Sequence, residues 1–176
     1  MMHKPILVTL LSVLLAIAGL AVAGPALAGF ELKPWTGGAT PPLSLQDAAG
    51  KKVDLAQYRG KVVLVNFWAT WCAPCVAELP AMQQLRDKLA LSGFEVLAVN
   101  YKDSQKKIDD FLLKRPLALR IPRDTDGATG MAWAVRTFPT SFVIDTDGRI
   151  RYWVIGEVDW LSPSVEKRIR ELLPKT

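Results

Sequence analysis

The chain has 176 residues, half of them apolar, and a formal net charge of +5, which suits one modest domain plus a leader segment. Residues 1–28 hold Lys4 and no acid, so the remainder carries 21 basic against 17 acidic residues, a mild +4 without a long basic run. Nucleic-acid binding, which shows as a basic stripe or patch, is excluded on that balance. The only histidine, His3, lies in the leader, so Ser-His-Asp and Cys-His catalysis and His-ligated zinc or copper are excluded too.

Residues 1–28 read as a signal peptide. Lys4 precedes an apolar stretch from Ile6 to Ala23, Pro25 breaks it, and Ala26-Leu27-Ala28 supplies a small-x-small cleavage pattern. Cleavage after Ala28 is expected; the alternative is a retained membrane anchor, since the apolar stretch is long enough to span a bilayer as a helix. Either route places the rest outside the cytoplasm. Residues 29–39 read as an irregular lead-in, with Pro34, Gly37 and Gly38, and one domain covers 40–175. Leu43–Leu45 and Lys52–Leu55 form a hairpin around the turn signal Asp47–Gly50. Lys61–Trp68, rich in Val with little alternation, reads as a central strand covered on both faces.

From Cys72 to about Ser92 the chain reads as a helix, with Val76, Leu79, Met82, Leu85 and Leu89 on one buried stripe. Gly93 ends it, and Phe94–Tyr101 is a second buried strand. A helix over Ser104–Lys114 turns Ile108, Phe111 and Leu112 inward and stops at Arg115-Pro116. A short helix over Ala128–Val135 follows. Thr140–Asp145 and Arg149–Ile155 then pair around the turn Thr146-Asp147-Gly148. Ser162 caps the last helix, with Pro163 in its first turn and Val165, Ile169 and Leu172 inward.

The chain has two cysteines, separated by two residues. A bridge there closes almost no loop and stabilises little, so these cysteines are placed for chemistry. Trp71-Cys72-Ala73-Pro74-Cys75 lies where the first long strand hands over to the first long helix. A helix start presents unpaired N–H groups with partial positive charge, which favours a Cys72 thiolate and lowers its pKa below about 8.5. Cys72 is then the attacking thiol. Cys75, nearly one turn on and shielded, resolves the mixed disulfide. Cys75 must lose its proton to act. Glu78, three residues further on the same side of the helix, is the candidate acceptor; the alternative is an ordinary solvated helix glutamate.

The string GKVVLVNFWATWCAPC, followed by Glu78, Leu79 and Pro80, resembles the TlpA/ResA-like thioredoxins of the redoxin group. The resemblance continues through Phe138–Asp145, Asp147-Gly148 and Gly156–Trp160, covering roughly residues 40–160. It implies an α/β thioredoxin fold, a central mixed β-sheet flanked by helices, here with an N-terminal β-hairpin extension. It implies an exported or membrane-tethered thiol:disulfide oxidoreductase, in direction a reductase, with no cofactor and no metal. Its partners would be cysteine-containing exported proteins, as in cytochrome c or copper-site maturation, and a membrane thiol electron donor.

By the same resemblance Pro139 is the cis-proline beside the active-site disulfide, and Trp71, Pro74, Phe138 and Thr140 line the substrate's path. Trp68 and Trp71 pack around the site, while Trp35, Trp133, Trp153 and Trp160 are packing residues. Thioredoxin has a buried aspartate six residues before its first cysteine. Here Asn66 stands there and cannot take a proton, so Glu78 is the substitute. The cytochrome-maturation members carry an acidic residue after the cis-proline, where this chain has Thr140.

Two rival chemistries compete with this one. A peroxidase of the peroxiredoxin type needs Pro-x-x-x-Thr-x-x-Cys, but Val65 and Ala69 occupy the proline and threonine positions. A copper(I)-binding thiol chaperone of the same fold is the alternative function, because two thiolates suit a soft ion. Copper-delivery relatives use a longer cysteine spacing and a distant histidine, both missing here.

Overall fold

The computed structural model describes residues 31–175; the leader assigned to residues 1–28 lies outside the described residues. In chain order the elements are β1 (Lys33–Pro34), β2 (Ser44–Gln46), β3 (Lys52–Asp54), β4 (Val62–Trp68), α1 (Ala73–Leu89), β5 (Phe94–Tyr101), α2 (Gln105–Lys114), β6 (Arg123–Asp124), α3 (Ala128–Ala132), β7 (Thr140–Ile144), β8 (Ile150–Ile155) and α4 (Pro163–Arg170). Six strands form one mixed sheet in the order β1-β8-β7-β4-β5-β6, and β2-β3 is a separate hairpin.

Every residue of β4 is buried, as a Val-rich run without alternation requires. It pairs parallel with β5 and antiparallel with β7, so no edge of it meets water. Its side chains still alternate between faces. Val62, Leu64 and Trp68 join Leu79, Met82, Leu85 and Leu89 of α1 and Val165 and Ile169 of α4 in one core layer. Val63, Val65 and Phe67 join Leu43, Val53 and Leu55 of the hairpin region and Trp133 in the other. Asn66 falls by this alternation on the α1 side. It is a fully buried amide in a layer built mostly of apolar groups.

Three details depart from the sequence expectations. The lead-in is not irregular throughout, because β1 pairs antiparallel with β8 through Lys33↔Trp153 and Pro34↔Tyr152, and Leu32 is buried. A proline is tolerated there because the strand is an edge. The short strand β6, parallel to β5 at the opposite edge, was too brief to carry a pattern. Ser162 does precede α4, but its hydroxyl donates to Asp159 O at 2.8 Å and makes no side-chain cap. α1 continues into a short 3-10 turn to Ser92 and stops at Gly93, whose φ of 87° is left-handed, a conformation glycine adopts without Cβ strain.

Candidate active site

α1 begins at the pair of cysteines because β4 ends there and its chain must turn. Cys72 occupies the N-cap position with extended φ/ψ, and Pro74 sits in the first turn. The Cys75 N–H donates toward Cys72 Sγ at 3.4 Å. This is one of the orphan N–H groups of a helix start, aimed at sulfur, and it favours negative charge on Cys72. Cys72 and Cys75 are joined as a disulfide. Cys72 keeps 6% of its surface exposed and Cys75 keeps none, so an incoming sulfur can meet only Cys72.

The approach to Cys72 is held from below. Asp103, in the loop after β5, accepts from the Thr70 N–H at 2.7 Å and from Asn100 Nδ2 at 3.0 Å. The Trp68 indole donates to Ala98 O at 3.0 Å and fills the core beneath the site. Trp71 points outward and is 62% exposed. Its ring meets Phe138 edge-on at 5.7 Å, and Phe138 in turn lies 4.8 Å from Tyr101. An aromatic ledge therefore runs from the cysteines to the end of β5, with Lys102 Nζ 5.3 Å from the Tyr101 ring centre.

The Phe138–Pro139 peptide bond is cis, and Pro139 O accepts from the Gly156 N–H at 2.9 Å. Pro74 is exposed and Pro139 is buried. Thr140 is buried, and its hydroxyl donates back to Thr137 O at 2.6 Å, so the side chain braces the Pro139 loop.

Glu78 is not a solvated helix glutamate: it is 3% exposed. One carboxylate oxygen accepts from Asn66 Nδ2 at 3.0 Å. The other accepts from the Val158 N–H at 3.2 Å and the Trp160 indole at 3.0 Å. Burial pushes its carboxyl up to about 7, against the downward pull of the Trp160, Val158 and Asn66 hydrogen bonds, with the Glu157 charge adding a smaller upward push. A carboxyl poised there can take or give a proton near neutrality. Asn66 Nδ2 also donates to Ser141 Oγ at 2.9 Å.

The structure thus places Cys72, Cys75 and Glu78 within two turns of α1, and sets Trp71 against Phe138. Sequence reasoning missed Trp160, Val158 and Ser141 as neighbours of this group, and treated Asn66 only as a lost proton site. The string Gly156-Glu157-Val158-Asp159-Trp160 was the available signal, because an indole and an acid-rich turn stand together there.

Among known proteins, the family model described as "AhpC/TSA family" matches residues 36–153, more than half of the chain. The chain is 32% identical over 147 residues to the thiol-disulfide oxidoreductase ResA of Bacillus subtilis (strain 168), covering 84% of this chain and 82% of that protein. It is 35% identical over 120 residues to the ResA of Geobacillus thermodenitrificans, covering 68% and 69%. A thiol:disulfide interchange protein of the DsbE type from Chlorobium tepidum superposes with a TM-score of 0.67 at 30% identity, over 81% of this chain and 96% of that one. StoA from Bacillus subtilis, at 24% identity and TM-score 0.62 over 77% and 98%, shares the fold. With a buried sheet leading into a cysteine pair at a helix start, the chain belongs to the AhpC/TSA family and is a thioredoxin-fold thiol-disulfide oxidoreductase of the ResA type.

Proposed function

We propose that the chain works outside the cytoplasm as a reductase of disulfides in exported proteins. Cys72 attacks the substrate disulfide, and one substrate sulfur leaves as a thiolate. Cys75 gives its proton to Glu78 and attacks the Cys72 sulfur, which releases the second substrate thiolate and closes the Cys72–Cys75 bridge. Both electrons that reduce the substrate come from the dithiol. Trp71, Pro74, Phe138 and the Pro139 loop hold the substrate segment.

The single observation that carries this reading is the unequal exposure of the two sulfurs, with a buried carboxyl whose pKa is about 7 beside the helix turn of the inner one. Residues 1–28 supply the export signal or a tether, and a membrane thiol donor would return electrons to the disulfide. Apocytochrome c and copper-site cysteines are the substrate classes that the ResA likeness suggests.

The reduction potential of the Cys72–Cys75 pair tests the direction, measured by equilibration in thiol buffers with tryptophan fluorescence as the readout. A value near that of thioredoxin, about −270 mV, is expected. A value near −120 mV, typical of a strong oxidant, would overturn the reductase assignment.

A further inference from the structure

The hydrogen bonds around Glu78 are one-sided. Asn66, Val158 and Trp160 all donate to it, so the pocket is wired for the carboxylate. When Glu78 takes a proton, its O–H needs an acceptor, and none of those three groups supplies one in this arrangement. Meanwhile Asn66 Oδ1 is buried and has no hydrogen-bond partner. An unpaired buried acceptor is uncommon and calls for a physical reason. This one lies on the α1 side of β4, in the layer that also holds Cys72 and Cys75.

A side-chain amide is nearly the same shape in both orientations, but turning it exchanges donor for acceptor. After rotation, Oδ1 would stand 3.0 Å from the Glu78 oxygen and 2.9 Å from Ser141 Oγ, where Nδ2 stands now. It could then accept from a protonated Glu78. Ser141 suits both states, because a hydroxyl accepts from Nδ2 in one and donates to Oδ1 in the other. Nδ2 would move to the position now held by the orphaned oxygen, as a donor in the layer that also holds the cysteines.

We propose that Asn66 is a positioning residue whose amide turns over as the Cys75 proton passes to Glu78. Before transfer, Nδ2 supports the Glu78 carboxylate. After transfer, Oδ1 accepts from the Glu78 carboxylic acid while Nδ2 turns into the layer that holds the cysteines. One proton moves and the pocket keeps one negative charge throughout. This role deepens the one proposed for Glu78 and rests on it. Among the described residues, the other charged group acting on Glu78 is Glu157, whose charge raises its pKa.

The test is a two-step reaction of the reduced protein with an aryl disulfide reagent that releases one coloured thiolate per step, followed by stopped flow from pH 5 to pH 9. The first release reports Cys72 and the second reports Cys75. N66L, close in volume and unable to donate or accept, is expected to leave the first release unchanged and to slow the second by about tenfold or more near pH 7. N66D, which has the native shape but only acceptors, is expected to shift the pH midpoint of the second step by more than about one unit, because two carboxylates then share the pocket. Carbon-13 titration of the Glu78 carboxyl in the oxidised proteins is expected to show an upward midpoint in N66L. A second step with native rate and pH midpoint in either variant overturns the amide role. If E78Q slows the second step while N66L does not, Glu78 keeps its role and Asn66 loses its own. If E78Q reacts at the native rate, both are overturned.

Discussion

The indole N–H of Trp160 donates to the carboxylate of Glu78 at 3.0 Å, joining positions 82 residues apart in the chain. The loop after β8 is thereby fastened to the helix that carries the cysteines, and the fastening depends on charge. W160F should cost about 1–3 kcal/mol at pH 8, where the carboxylate loses a donor, and distinctly less at pH 4.5. Chemical denaturation at the two pH values measures this. Equal losses at both would mean that the indole contributes packing alone.

The raised carboxyl of Glu78 has its own consequence for stability. Because its folded pKa is about 7 against an ordinary 4.5, the folded state binds more protons than the unfolded state between those values. The stabilising contribution is therefore complete below about pH 4.5 and is lost as pH rises through 7. Linkage puts the loss on the order of 3 kcal/mol. E78Q should flatten the stability profile across this window relative to the native chain. Denaturation midpoints from pH 4 to pH 8 provide the measurement, and parallel profiles for the two proteins would contradict the assignment of the shift to Glu78.

Unequal exposure of the sulfurs gives an order of events that trapping can read. C75S should accumulate a mixed disulfide between Cys72 and a disulfide-bonded protein substrate, seen as added mass in intact-protein mass spectrometry. C72S should accumulate none, since Cys75 has no exposed surface. A comparable adduct at Cys75 in C72S would reverse the assignment of attacking and resolving thiols.

Removing the centre of the aromatic ledge separates substrate contact from thiol chemistry. F138A loses the ring that touches both Trp71 and Tyr101. With a protein disulfide substrate its KM should rise by about tenfold, in line with about 1.4 kcal/mol of lost contact, with kcat little changed. Its rate of reduction by dithiothreitol should stay native. A fall in kcat with an unaltered KM would place Phe138 in the core scaffold instead.

What the sequence showed, it showed through local signals. The run Val62–Trp68, apolar on both faces but for Asn66, announced a doubly covered strand, and the cysteine pair announced the helix start. Spacing alone put Glu78 on the side of Cys75. Its burial was not legible, because the groups that bury and bind it come from β4, the Val158 backbone and Trp160, brought in by pairing and loop closure rather than by any local pattern. The Asn66–Ser141 contact spans 75 residues and follows from the β4–β7 register, Asn66↔Ser141, which no single segment encodes. β1 and β6 escaped notice for another reason: two residues are too few for a period.

Cys72 keeps only a sliver of its surface exposed, and that narrowness is a form of selection. Thiol exchange proceeds with three sulfurs nearly in line, so a target disulfide has to bring its bond axis to one fixed bearing. A disulfide locked inside a finished protein cannot reorient to meet it. A flexible stretch of chain can, by swinging until the angle is right. Such an enzyme is expected to reduce a disulfide in a flexible segment faster than the same disulfide held in a completed fold.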